Sequence, residues 1–268
     1  MSSAALSNSD FTRFQRFIFE RAGITLSASK KALVSGRLAK RLAHHGLPGW
    51  AQYLELLHSG EAAAEEQTAV DLLTTNETYF FREAKHFDLL RELALAATQR
   101  RQPLRVWSAA CSSGEEPYSM AMVLDDVQGS LPWEVLGTDI SLRVLQRARS
   151  GHYPEERTQH IPPAYLKRYC LRGTGEQQGT LLVERALRQR VRFAQVNLNA
   201  DLPQLGPFDL VFLRNVMIYF SPDTKRQVVA RVLGPLARGG HFCVGHSESL
   251  NDINGSLRQV APSIYLKP

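Results

Sequence analysis

Through about residue 70, apolar side chains recur at helical spacing, punctuated by glycine and proline. Phe11, Phe14, Phe17 and Ile18 form one stripe, with Asp10 as the expected N-cap and Gly23 near the end. Leu33, Val34, Leu38 and Leu42 form a second stripe, with Ser29 as the expected cap and Gly46 near its end. Trp50, Tyr53, Leu54 and Leu57 predict a third helix, and Val70, Leu72 and Leu73 end a fourth. No strand pattern occurs here, so the region reads as an all-helical module.

Residues 73–83 break the periodicity with a polar and aromatic junction, and helical spacing resumes over Glu83–Thr98. From Leu104 the texture changes. Apolar runs of strand length lie at Leu104–Ala110, Trp133–Ile140, Arg192–Asn197, Phe208–Arg214 and Gly240–Gly245. Helical patterns at Glu116–Val127, Ser141–Arg149 and Pro222–Ala237 alternate with them. Such alternation predicts a parallel, doubly wound sheet covered on both faces, an α/β fold. Pro154, Pro162 and Pro163 interrupt it, and glycines with alternating apolar residues follow. An inserted antiparallel unit at about 166–193 is expected there.

Composition adds exclusions. Of 268 residues, 44% are hydrophobic and 22% charged, as in ordinary soluble domains, so disordered and fibrous classes are excluded. Apolar stretches such as Asp209–Phe220 are cut by Arg or Asn short of a membrane span, and residues 1–10 lack the pattern of a secretory signal. Cys111, Cys170 and Cys243 form neither pairs nor a CxxC, and the eight histidines show no ligand spacing, so neither disulfides nor a metal is expected. A soluble cytoplasmic protein follows.

The net charge of +6 is unevenly placed. Residues 11–45 carry eight basic side chains against Glu20 alone, leaving 24 basic and 25 acidic residues elsewhere. Lys30, Arg37, Lys40, Arg41 and His44 share one arc of the second helix. That arc is the expected docking face for an acidic partner.

In open parallel sheets, ligands bind beyond the carboxyl ends of the strands. The first strand leads into Ala110-Cys111-Ser112-Ser113-Gly114-Glu115-Glu116-Pro117. This loop has one glycine and two acids, so it is unsuited to pyrophosphate and suited to a cationic ligand. Asp139 ends the second strand, where a carboxylate accepts from ribose hydroxyls; the alternative is a helix cap, a place Ser141 fills better. Asn197 and Leu198 follow the third strand, Arg214 and Asn215 the fourth. Amides with an apolar neighbour suit an adenine, although a lone Asn is more often a turn residue. The set fits a nucleoside without phosphates, such as S-adenosylmethionine.

Five strings, in order, resemble one family. They are Asn76-Glu77-Thr78-Tyr79-Phe80-Phe81-Arg82-Glu83; Val106–Ala110 leading into Gly114-Glu115-Glu116-Pro117-Tyr118-Ser119; Gly137–Ser141; Arg214–Phe220; and Gly245-His246-Ser247-Glu248-Ser249. Together they resemble the CheR-type chemotaxis receptor methyltransferases, protein-glutamate O-methyltransferases, over almost the whole chain. The resemblance implies a class I (Rossmann-like) S-adenosylmethionine-dependent methyltransferase domain at 89–268 with the inserted β-subdomain. It further implies a helical receptor-docking domain at 1–72 and a linker at 73–88 that contributes to the active site. It implies cofactor contacts from Asn76, Thr78, Arg82, Glu116, Asp139, Asn197, Leu198, Arg214 and Asn215, and handling of the reacting carboxylate by Arg82 and Tyr219. Implied partners are the cytoplasmic domains of chemoreceptors at membrane arrays, with a receptor C-terminal tail as a further ligand of the β-subdomain. The protein is expected to act as a monomer, without metal, nucleic acid or membrane insertion.

The chemistry is consistent with that resemblance. A glutamate carboxylate is ionised at neutral pH and needs no general base to attack a sulfonium methyl. It needs positioning, which a guanidinium and a phenol provide. A nucleic-acid methyltransferase is the main rival, yet Asn215-Val216-Met217-Ile218 lacks the prolines of an Asn-Pro-Pro-Tyr turn. A non-catalytic receptor adaptor is the other, opposed by Arg82, Asp139 and Tyr219. His246-Ser247-Glu248 is read as a turn, since catalytic triads gather from separate elements.

Overall fold

The structure is a computed structural model, and residues 5–268 are described. The chain divides into two compact units, one of residues up to Thr75 with Tyr219–Thr224, the other of Asn76–Ile218 with Lys225–Pro268.

The helical unit contains α1 (Asn8–Ala22), α2 (Lys31–His44), α3 (Trp50–His58) and α4 (Ala63–Leu73). Its core is the set of apolar stripes, with Phe14, Ile18, Val34, Leu38, Tyr53, Leu54 and Ala69 fully buried. Phe14 meets the Trp50 ring edge-on at 5.9 Å. Both expected caps are displaced. Ser7, not Asp10, caps α1 by accepting from the Asp10 N–H, and α2 starts after a 3-10 turn, Ala28–Lys30, without a side-chain cap. Residues 219–224 join this unit by backbone pairing: the Thr25 N–H donates to the Tyr219 carbonyl at 2.8 Å and Ile24 bridges Phe220.

Two arginines of the basic arc are internal fixtures of this unit. Arg37 donates to the carbonyls of Leu73 and Thr74 at 3.2 and 3.0 Å, satisfying acceptors that the end of α4 leaves open. Arg41 grips the Glu65 carboxylate with two donors, and the Tyr53 hydroxyl adds a third bond at 2.6 Å. Lys30 and Lys40 stand exposed. Two cations of the basic arc thus also have partners within the unit.

The α/β unit begins with the Asn76–Glu83 segment and α5 (Lys85–Gln99), followed by β1 (Leu104–Ser108), α6 (Glu115–Gln128), β2 (Trp133–Asp139) and α7 (Leu142–Ser150). The insertion holds β3 (His152–Pro154), α8 (Pro163–Tyr169), β4 (Cys170–Arg172), β5 (Thr180–Val183) and α9 (Arg185–Arg188). Then come β6 (Val191–Gln195), β7 (Phe208–Leu213), α10 (Pro222–Leu233), β8 (Leu236–Val244), β9 (Arg258–Ala261) and β10 (Ile264–Leu266).

Seven strands form the main sheet in the order β6-β2-β1-β7-β8-β10-β9. The first five run parallel, while β10 is antiparallel to both β8 and β9. Burial on both faces explains the nearly continuous apolar runs of β1, β2 and β7. Val106, Val135, Leu210, Phe212 and Cys243 share a core with Phe87, Leu90 and Ala94 of α5 and with Met120 and Val123 of α6.

Three boundaries differ from the sequence reading. The antiparallel sheet, β3-β5-β4, starts at His152, and Val191 already belongs to the main sheet opposite Val135. The last long helix stops at Leu233 because Gly234-Pro235 cannot continue it, so β8 opens at Leu236. The C-terminal pair β9 and β10 went unforeseen. Among the described residues, no helix is long and apolar enough to cross a membrane.

Candidate functional site

The ligand end of the sheet is built by turns that need particular backbones. After β1, the Gly114 N–H donates to the Cys111 carbonyl at 3.1 Å, and Gly114 starts α6 with φ +97°. A Cβ there would stand 2.8 Å from that of Ala148, so the turn admits only glycine. At Gly245 a Cβ would come within 2.4 Å of the Asn215 amide nitrogen, so a larger residue would displace that side chain. Beside it, the Glu248 carboxylate accepts three backbone N–H groups, from Asn215, Met217 and Gly245, each at 2.8 Å. One acid thus organises the turns after both β7 and β8. That is the structural work of the His246-Ser247-Glu248 string.

Asp139 lies at the end of β2, 7% exposed, with one oxygen accepting from Ser112 N–H at 2.9 Å and the other from Ser141 N–H at 3.0 Å. Ser141 caps α7 through the Val144 N–H. The Asp139 carboxylate is thereby fixed against the loop after β1. Asn197 accepts from the Asn199 N–H at 2.9 Å in a side-chain turn, with Leu198 buried next to it.

The centre of the site is Arg214, whose side chain is 1% exposed. It contacts Glu83 at 3.1 Å and Glu116 at 3.0 Å, and it also donates to the Arg82 carbonyl. The Ser108 hydroxyl gives Glu116 a further bond at 2.6 Å. Burial pushes the Glu116 carboxyl up, while Arg214 and Ser108 pull it down. For Glu83, the pull of Arg214 and of the His246 N–H outweighs burial and leaves the carboxyl low. Asn215 completes the group from left-handed backbone, φ 56°, with its amide 3.4 Å from Glu83.

Glu83 carries signal that the strings contained but local reading missed. Its neighbour in sequence is Arg82, yet its partner Arg214 lies 131 residues away. The His86 ring, fully buried, has Nδ1 at 3.4 Å from Glu83, and His246 approaches the same carboxylate at 3.9 Å. These three groups have metal-ligating atoms within 4.8 Å of one another. Arg214 already neutralises the carboxylate they share. Burial, reinforced by the Arg214 charge, lowers the His86 imidazole to about 4, so it is neutral above that.

The segment from Asn76 to Arg82 has no regular structure, and side chains hold it instead. The Asn76 carbonyl accepts from Ser112 Oγ at 2.8 Å, that of Glu77 from Arg82 at 3.2 Å and that of Thr78 from Arg157 at 3.0 Å. Phe81 and Glu83 adopt left-handed backbone, φ 55° and 61°, a strained state for such residues. The Phe81 N–H is fixed by Ser119 Oγ at 3.0 Å. Arg82 is half-buried with its guanidinium 5.6 Å from the Tyr79 ring centre. Among the described residues, no carboxylate forms an ion pair with it. Tyr219 groups with the helical unit, at the end of the 3-10 turn Met217–Tyr219.

The donor set bears on the ligand. Arg214 draws Glu83 and Glu116 together beyond β7, and Asp139 ends β2 against the loop after β1. A net negative, amide-bearing site suits a ligand that carries sulfonium and ammonium charge and ribose hydroxyls. S-adenosylmethionine meets that description, and the site's residues fit it.

A Rossmann-like sheet with this constellation at its strand ends defines a class I S-adenosylmethionine-dependent methyltransferase. Family models go further: one described as "CheR methyltransferase, SAM binding domain" matches residues 76–266, and one described as "CheR methyltransferase, all-alpha domain" matches 9–74. The chain belongs to the CheR methyltransferase family. It is 42% identical over 264 residues to a "Chemotaxis protein methyltransferase" of Escherichia coli K12, covering 97% of this chain and 91% of that one. Identity is also 42%, over 259 residues, to "Chemotaxis protein methyltransferase 2" of Pseudomonas aeruginosa, covering 96% and 92%. For a "Chemotaxis protein methyltransferase" of Borreliella burgdorferi it is 34% over 273 residues, covering 98% and 95%.

Proposed function

We propose that this chain methylates glutamate side chains on the cytoplasmic domains of chemoreceptors, giving glutamate methyl esters and S-adenosylhomocysteine for sensory adaptation. The observation that carries the acceptor class is the contrast between two arginines. Arg214 is held by Glu83 and Glu116, whereas Arg82 forms no ion pair with any described carboxylate. A buried, doubly paired guanidinium is a fixture of the site. A half-buried one without an acidic partner is suited to receive a carboxylate from outside.

In this reading Asn76, Thr78, Asp139, Asn197, Leu198 and Asn215 hold the nucleoside and Glu116 the methionine end, with Arg214 keeping Glu116 in place. When bound, S-adenosylmethionine supplies an electrophilic methyl group whose loss to a carboxylate oxygen leaves neutral S-adenosylhomocysteine, with no proton to move. Arg82 and the Tyr219 hydroxyl orient the carboxylate. Arg82 must hold it loosely, because stabilising the reactant alone raises the barrier. Lys30, Arg37, Lys40 and Arg41 meet the acidic receptor surface, Arg37 and Arg41 while also tied to α4 and the residues at its end. The insertion's three-stranded sheet is the proposed site for a receptor tail.

Incubation with methyl-labelled cofactor and receptor-containing membranes tests the reaction. Label released by base as methanol is expected. Base-stable label, or label in nucleic acid, contradicts the proposal.

A further inference from the structure

Arg157 lies in the insertion, just after β3, outside every string that marked the site. Its guanidinium performs two tasks. It donates to the Thr78 carbonyl at 3.0 Å, and it stands 3.3 Å from Oε1 of Glu115, a side chain with no solvent exposure. Burial pushes the Glu115 carboxyl up, and the Ser113 hydroxyl and the Arg157 charge oppose that. Among the described residues, Oε1 of Glu115 has no hydrogen-bond partner, and Arg157 is the cation beside it. Three residues on, the His160 ring packs on Tyr79 with centroids 4.7 Å apart. The insertion therefore touches the Asn76–Arg82 segment at two successive residues.

That segment lacks a ladder of its own. Its carbonyls at Asn76, Glu77 and Thr78 are each satisfied by a different side chain, and only the Thr78 bond comes from the insertion. Removing one donor from such a segment frees the backbone that carries Thr78 and, four residues on, Arg82. The Glu115 charge fixes Arg157 in return, because a buried carboxylate without its cation is costly.

We propose that Arg157 is a positioning residue: through the Thr78 carbonyl it holds the Asn76–Arg82 segment in its binding conformation, and so couples the inserted subdomain to cofactor affinity and methyl transfer. The proposal rests on the reading above that Thr78 and Arg82 face the cofactor and the carboxylate.

The test is calorimetric titration of S-adenosylmethionine into the full chain, paired with initial-rate methylation of receptor membranes. Arg157→Ala is expected to weaken cofactor binding about tenfold and to lower kcat further. Arg157→Lys keeps the charge beside Glu115 and recovers part of the affinity, which also guards against a variant that does not fold. Arg168→Ala is the control. Arg168 ties α8 to Asp125 and Asp126 without touching the segment, and its removal is expected to leave the affinity unchanged. Arg157 variants that bind cofactor within twofold of the parent overturn the proposal, and so does an equal loss in Arg168→Ala. Failure of the parent to methylate receptors while it binds cofactor contradicts the proposed function instead, and the affinity arm still decides on Arg157.

Discussion

Arg82 and Arg214 are the same side chain in opposite surroundings, and the proposed function gives them different tasks for that reason. Arg214 lies between two carboxylates in the interior, where losing one partner of an ion pair costs about 3–5 kcal/mol. Arg82 has the Glu77 carbonyl and the Tyr79 face. Arg82→Lys keeps the charge but loses the planar fork, so kcat for receptor methylation is expected to fall roughly 10- to 100-fold. The melting temperature should change little, which differential scanning calorimetry checks. His86 gives a second residue-scale prediction. Its folded value of about 4 lies below the ordinary 6.5, so unfolded chains take up a proton that the native ring refuses. The stability held above pH 6.5 is lost as the pH falls towards 4. Urea midpoints should decline across that window, and His86→Gln should flatten the decline.

Residues of this kind explain what local sequence cannot contain. Glu83 lies in the Asn76–Glu83 segment, yet its partner is Arg214, which follows β7 far along the chain. Arg157 and Glu115 meet in the same way. Asp139, Glu116 and Asn197 stand out in the sequence because they lie at or beyond strand ends, and the structure places them at the end of β2, in the first turn of α6 after β1 and two residues beyond β6.

At the scale of elements, periodicity located every long helix, while their ends depended on contacts from elsewhere. The wheel puts Arg37 and Arg41 on the basic arc but carries no information about α4. Bound to Glu65, Arg41 also joins two helices. Burial pushes the Glu65 carboxyl up, but bonds from Arg41, Tyr53 and His45 prevail and hold it at about 2. Its ordinary value is 4.5, so its contribution is complete above that and is lost as pH falls towards 2. Glu65→Gln should be destabilised by a few kcal/mol at neutral pH. The deficit relative to the parent, read from urea titrations, should shrink as the pH falls from 4.5. Lys40→Glu, in contrast, touches no internal partner shown for it. It is expected to weaken receptor methylation several-fold while cofactor affinity and melting temperature stay unchanged. Strands β9 and β10 escaped notice because they are three or four residues long and β9 is mostly exposed, so neither carries a strong alternation.

For the whole molecule, the opening pattern and the charge map have one explanation. Residues 11–45 of the helical unit carry a basic cluster that the acids of α3 and α4 offset within the same unit, and the α/β unit gathers acids and amides at the ends of β1, β2, β6 and β7. Net charge alone leaves nucleic acid, acidic lipid and acidic protein equally eligible. The basic cluster at 11–45 is where the proposed docking on an acidic receptor surface falls, and the acids at the strand ends suit the cationic groups of the cofactor. The measurement closest to the central claim is tandem mass spectrometry on a purified receptor cytoplasmic domain after reaction with this protein and S-adenosylmethionine. Fragmentation should locate each added methyl on a glutamate side chain, and Arg82→Ala should abolish most of it. Methyl groups on lysine, arginine or an N-terminus, or an unmodified receptor beside active parent enzyme on another substrate, would contradict the account.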